Sequence, residues 1–199
     1  MMFRPFPMTK EQEVLDRFHD ALSRELCAEL SEEKTVGFLT IGDPSVYSTY
    51  SYIRSRVQDM GFDCEMIPGV PSFTAAAARL GISLADGSEM IHIIPGSGDT
   101  GQSLSYPGNR IYMKSGMRLG ELKKALLSKE TLLRETLSRE SLSEETEECG
   151  NKARGDETQG KEERIFAVSD CGMDSETLIY GAEALNDKAG YLTVVIVKS

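Results

Sequence analysis

The sequence predicts an α/β protein of two domains, and three observations carry that prediction. Apolar runs of strand length alternate with amphipathic helical stretches. The alternation pauses at "GISLADGSE" and begins again beyond it. A charged, low-complexity segment then interrupts the second half. Alternation of this kind points to a mostly parallel sheet with helices packed against it, and 199 residues at 40% hydrophobic content are enough to build a core.

The first element is a helix in "TKEQEVLDRFHDALSRELCAEL", where Val14, Phe18, Leu22, Leu26 and Leu30 recur at helical spacing. Thr9 is its expected cap and Gln12 completes a capping box. The continuous apolar run "TVGFLTI" follows, read as a strand covered on both faces. After Gly42-Asp43-Pro44, the steps Val46, Tyr50, Ile53, Val57 and Met60 predict a second helix from near Ser45 to just before Gly61. "FDCEMIPG" supplies another strand, and "SFTAAAARLG" a helix opened by Ser72 and closed by Gly81.

Beyond the expected domain boundary near Asp86, "MIHIIPG", "RIYMK", "RIFAVSD" and "YLTVVIVK" read as strands. "LGELKKALL" and "SETLIYGAEAL" read as helices. The domains are thus expected at 1–86 and 87–199. Between Lys129 and Glu148 the sequence repeats every five residues, placing Leu132, Leu137 and Leu142 in register. Five residues advance a helix about 140° past a full turn, so these leucines spiral around it and cannot form one apolar stripe. The stretch 128–163 holds eleven acidic and six basic residues, half the net charge of −10. It is expected to be a solvated insertion, partly helical or disordered.

No apolar run approaches the ~20 residues that cross a bilayer, and "MMFRPFPMTKEQ" lacks the layout of a signal peptide, so a cytoplasmic location is expected. The negative charge argues against nucleic acid as the main partner. Cys27, Cys64, Cys149 and Cys171 show no CxxC spacing, and His19 and His92 stand alone, so no metal site is expected.

In open α/β sheets ligands bind at the carboxyl ends of the strands. Three glycine-bearing loops occupy such positions: "IGDPSVY", "PGVPSF" and "SDCGMDSE". Glycine admits positive φ and close approach of a ligand to the backbone. The chain carries neither GxGxxG nor GxxxxGK[ST], which favours a ligand held by backbone and apolar contacts over one held by phosphates. Both histidines fall inside predicted elements, so serine-hydrolase chemistry is disfavoured. Asp43 with Asp170 or Asp174 is a possible carboxylate pair whose separation the sequence leaves open.

The succession "PMTKE", "FLTIGDPSVYSTYSYI", "PGVPSFTAAAARLGISLADG", "IYMKSG", "GMDSE" and "YLTVVIVK" resembles the tetrapyrrole methylases, and within them the enzymes that methylate C20 of precorrin-2 or cobalt-factor II in cobalamin biosynthesis. The resemblance implies two α/β domains with S-adenosylmethionine between them. It also implies in-line displacement, in which the C20 meso carbon attacks the sulfonium methyl group, S-adenosylhomocysteine leaves and C20 then loses a proton. Carried over by motif, Ile41, Gly42, Asp43, Val46, Pro71, Ser72, Met113 and Gly172 are expected at the cofactor. Asp43, Tyr47, Lys114 and Arg118 are expected at the carboxylate-bearing substrate, and no residue is assigned as catalytic. A homodimer is implied as well. Family members also carry a strand and a GxGPGDPEL loop ahead of "PMTKE", so the chain is expected to begin partway through the first domain. Two alternatives stay open: a non-catalytic fragment or subunit, and a methylase acting at another ring carbon.

Overall fold

Helix α1 (Gln12–Ser31) buries His19, Leu22, Ser23, Leu26 and Cys27, one face of the predicted 3.6-residue period. It begins later than the capping box suggests. The Thr9 hydroxyl accepts the Glu11 amide at 3.1 Å, and the Gln12 side chain reaches Asp16 instead of turning back to the cap. Helix α2 (Tyr50–Asp59) packs on α1 through Ile53 and Val57. Arg56 secures the pair with bonds to Asp20 at 2.7 Å and Asp16 at 2.8 Å. The computed structural model describes residues 3–143, 163–186 and 190–199, and divides the chain into compact units Met1–Pro71 and Ser72–Ser199. The sequence reading sets its boundary later, near Asp86.

The runs "TVGFLTI" and "FDCEMIPG" form no sheet ladder among the described residues. Both are extended segments lying on the α1–α2 pair: Val36, Phe38, Phe62 and Cys64 pack against its core, while Leu39 (85% exposed) and Ile41 (79%) point outward. The expected burial on both faces is therefore corrected to burial on one. Helix α2 starts at Tyr50 instead of near Ser45. The Asp43 side chain holds the Ser45 amide in a turn, and Tyr47 takes φ +48°, which a helix cannot continue through.

The second unit opens with α3 (Ser72–Leu80), ended by Gly81 at φ +67°. Strand β1 (Ile91–Pro95) leads through α4 (Thr100–Ser103), capped by Asp99, to β2 (Asn109–Met113). A 3₁₀ turn at Gly116–Arg118 passes into α5 (Leu119–Ser143). Strands β3 (Arg164–Ser169), β4 (Thr177–Tyr180) and β5 (Thr193–Lys198) complete a sheet of order β1-β2-β5-β3-β4.

Only β1 and β2 pair in parallel, and the other three pairings are antiparallel among the described residues. The alternation pattern overestimates parallel pairing, because β3 returns directly through a short loop to β4 in place of a crossover helix. Strand β4 replaces the helix expected at "SETLIYGAEAL". The run Thr-Leu-Ile-Tyr suits a pleated surface, and Ile179 sits opposite Ala167 in the register with β3.

Strand β5 lies between two neighbours and is buried throughout. On one side of the sheet, Tyr112, Val195, Val197, Ile165 and Ala167 meet Leu119, Leu122 and Leu126 of α5. Helix α3 packs on β3 and β5. Arg110 is buried on β2 and pairs at 2.6 Å with Glu163, which also accepts a bond from Lys129 of α5 at 2.7 Å. Helix α5 runs through the leucine repeat as far as Ser143, and Leu132 is exposed. The rest of the expected insertion, 144–162, lies outside the described residues.

Candidate functional site

The loops "IGDPSVY" and "PGVPSF" come together in the first unit. Asp43 makes the junction. One carboxylate oxygen accepts the Ser45 amide at 2.8 Å and the Ser45 hydroxyl, and the other accepts the Gly69 amide at 2.9 Å. The Gly42 carbonyl oxygen lies so close to Gly69 that a Cβ there would collide with it, so Gly69 admits no side chain. Gly42 itself takes φ +85°.

The hydrogen bonds from Ser45, side chain first and then amide, together with that from Gly69, hold the Asp43 carboxyl below its ordinary range. Both its oxygens are thus used to join the two loops. Ile41, at one end of the junction, and Tyr47 are exposed, and Val46 and Pro71 are half-buried.

In the second unit, the sheet directions place three predicted residues at one edge. Strands β1, β2 and β3 run the same way, with β5 antiparallel between β2 and β3. The carboxyl ends of β2 and β3 therefore bring Met113 and Lys114 to the same edge as Asp170–Gly172. Ser115 donates its amide to Thr193 at 3.1 Å, and Asp170 donates to Leu192 at 3.2 Å, so the entry to β5 lies between the two ends.

Met113 is buried, and its carbonyl accepts the Gly96 amide at 2.6 Å. Lys114, at φ +56°, sets its ammonium 5.7 Å from the centre of the Tyr191 ring. Gly172 takes φ +80°, with nothing within 4 Å of where a Cβ would stand. Ser72 is the first residue of α3. Arg118 donates to the carbonyls of Ser97 at 3.2 Å and Gly98 at 3.0 Å, and to the Glu121 carboxylate at 2.8 Å. Its guanidinium braces the turn after β1.

That turn, "PGSGDT", escaped the sequence reading. A Cβ at Gly96 would strike the carbonyls of Met113 and Lys114, so the turn lies directly against the end of β2. Its signal was present in the sequence as two glycines at a strand end followed by Asp99 at a helix cap position. The ring of His92 bonds the Pro107 carbonyl at 2.9 Å, and the ring of His19 is buried on α1. Among the described residues no cluster of His, Cys, Asp and Glu is arranged for a metal ion.

The profile of the Tetrapyrrole (Corrin/Porphyrin) Methylases matches residues 2–184. The chain is 34% identical over 110 residues to a probable cobalt-precorrin-2 C(20)-methyltransferase of Methanocaldococcus jannaschii, a match covering 55% of this chain and 46% of that protein. It thus spans about half the length of the curated relatives it matches. The fold is similar to that of a cobalt precorrin-4 methyltransferase, with a TM-score of 0.63 at 14% identity, covering 89% of this chain and 69% of that one. It is also similar to a uroporphyrin-III C-methyltransferase of Thermus thermophilus complexed with S-adenyl homocysteine, with a TM-score of 0.52 at 16% identity, covering 96% of this chain and 74% of that one. With the profile spanning most of its length, the chain belongs to the tetrapyrrole methylases.

Proposed function

We propose that this protein works in S-adenosylmethionine-dependent methylation of a tetrapyrrole, precorrin-2 or cobalt-factor II, at C20 in cobalamin biosynthesis. We place it in the cytoplasm as a homodimer, with no nucleic-acid partner. The observation that carries this reading is the Asp43 junction, which fastens the two family-like loops of the first unit to each other. The names of the matched C20-methyltransferases support the ring position.

The residues fit such a cofactor. Gly172 is exposed with open space where a side chain would stand, so a ligand can approach its backbone, and Ile41 and Val70 offer exposed apolar surface for an adenosyl group. When bound, S-adenosylmethionine supplies an electrophilic sulfonium methyl group. In the first unit Ile41, Gly42, Val46 and Pro71 are the residues that would meet it, and Ser72, Met113 and Gly172 are assigned the same role within the second unit taken by itself.

Asp43 acts by fixing the two loops, because alignment at near-attack distance is the chief demand of a methyl transfer. Tyr47 and Lys114 are the polar groups offered to the substrate, the ammonium meeting a propionate or acetate side chain by a charge-assisted bond. Arg118 is the other cation proposed for the substrate, although its guanidinium is engaged by Ser97, Gly98 and Glu121.

Calorimetric titration of the purified chain with S-adenosylhomocysteine tests the reading. Saturable heat at micromolar ligand is expected, and no heat at high micromolar ligand would sink it. A second reading, a subunit whose first unit is completed by another polypeptide, is favoured by the exposed Leu39, Ile41, Ile67 and Val70. Tight binding by the chain alone would remove it.

A further inference from the structure

We propose that Arg79 and Glu176 are positioning residues that set the Gly172 loop for the adenosyl cofactor, an inference that rests on the reading of Gly172 and Ser72 as cofactor residues. The loop after β3 contains two left-handed residues, Asp170 at φ +50° and Gly172 at φ +80°. Glycine adopts such a conformation freely, whereas at Asp170 it needs the surrounding bonds to hold it. Three bonds close the loop on itself. Met173 donates its amide to the Asp170 carbonyl at 2.9 Å, Glu176 donates to Met173 at 3.0 Å, and the Ser175 hydroxyl donates to the Asp170 carboxylate at 3.0 Å.

The Gly172 amide is held by a different group. It donates to a Glu176 carboxylate oxygen at 2.7 Å, so the orientation of that peptide follows the carboxylate. Glu176 is in turn gripped by Arg79 from the last turn of α3. The Arg79 Nε lies 2.8 Å from one oxygen and 3.1 Å from the other, and Nη2 approaches the first at 2.5 Å.

The Glu176 side chain is only 11% exposed, so leaving it without a cation would strand a shielded charge. The guanidinium fork fixes direction as well as charge, which a lysine ammonium does not. The Arg79 bond and then the Gly172 amide hold the Glu176 carboxyl below its ordinary range, consistent with this geometry.

Helix α3 begins at Ser72 and packs on β3 and β5. The Arg79–Glu176 pair therefore ties the helix that carries one cofactor residue to the loop that carries another. The sequence separates the partners widely, and neither falls in a motif that points to the other.

The test uses the full chain as wild type, Arg79→Ala, Arg79→Lys and Glu176→Gln, well below the melting temperature of each. Amide exchange of the 170–176 peptide and calorimetric affinity for S-adenosylhomocysteine are read together. Arg79→Ala and Glu176→Gln should speed exchange in that peptide while β5 keeps its protection, and should weaken affinity roughly 10-fold, the cost of ordering on binding a loop no longer held in place. Arg79→Lys should restore part of the affinity, which a purely structural role would not produce. If Arg79→Ala fails to fold, Arg79→Lys and Glu176→Gln carry the test.

Unchanged affinity in the folded variants overturns this role and leaves the cofactor reading standing. Absence of heat with the wild type overturns the cofactor reading and this role with it.

Discussion

At Gly69 the whole first-unit junction depends on a missing methyl group. Gly69→Ala drives a Cβ into the Gly42 carbonyl oxygen, a backbone atom that cannot swing aside. Overpacking of this sort costs about 1–3 kcal/mol, and differential scanning calorimetry should show the unit melting earlier, with affinity for S-adenosylhomocysteine lost. Gly37→Ala is the control. Nothing lies within 4 Å of its Cβ position, and the melting temperature should hardly move.

Asp43 adds a pH dependence whose sign follows from its depressed carboxyl. A group whose folded pKa lies below its unfolded one contributes stability above the unfolded value and loses it as pH falls through the folded value. Asp43→Asn should therefore flatten the acid limb of the first unit's stability, read by chemical denaturation. The glycines and the aspartate were legible as loop residues, although the strands expected before them form no ladder among the described residues. That the carboxylate of one loop reaches the amide of the other was not, because hydrogen-bond partners distant in sequence leave no local pattern.

Among elements, the α1–α2 pair has a similar dependence of its own. His19 stacks on Tyr52 with ring centroids 5.2 Å apart and planes 8° from parallel, and it lies beside Phe6 and Phe18. Both ring nitrogens are buried without a hydrogen-bond partner. Burial first, and then the Arg56 charge, push its pKa down against the opposing pull of Asp16 and Asp20. The unfolded chain then binds the proton more readily than the folded one. Stability of the pair should fall as pH drops below about 6.5, the ordinary histidine value, and level off below the folded value. Chemical denaturation between pH 5 and 8, roughly the range over which histidine responds, checks this, and His19→Phe should abolish the slope.

Element identity was readable where the helical period was long, as in α1, where caps bounded a small-residue run, as in α3, and in the apolar runs of β2 and β5. It failed at Thr177–Tyr180, where four residues of strand composition lay inside a stretch read as helical. Pairing with β3 decided that case.

Within the second unit, buried Arg110 forms an ion triad with the half-buried Glu163 and Lys129. Burial alone would raise the Glu163 carboxyl, but its bonds to Arg110 and Lys129 outweigh burial and bring it below its ordinary range. Glu163→Gln leaves Arg110, 1% exposed, without its counter-charge, a change that costs about 3–5 kcal/mol for a buried pair. Guanidinium unfolding should register that loss while the α1–α2 pair is unaffected. Since the Glu163 shift is downward, the triad's contribution is present at neutral pH and fades as acid protonates the folded carboxylate. For the molecule as a whole, light scattering should give a dimer mass if the proposed assembly is right, and a sharp monomer peak would count against it.

The sequence by itself determined the α/β class, the helical and strand periods of most elements, and the glycine-bearing loops that the family match then made meaningful. These follow from forces acting within a few residues: side-chain period, capping chemistry and the conformational range of glycine and proline. The tertiary structure alone decided the antiparallel course of β3, β4 and β5, the one-sided burial of "TVGFLTI", and the pairs Asp43 with Gly69, Arg79 with Glu176 and Arg110 with Glu163. Each of these depends on which distant backbone or charge is within reach once the chain has folded, and a local pattern names the need for a partner without naming the partner.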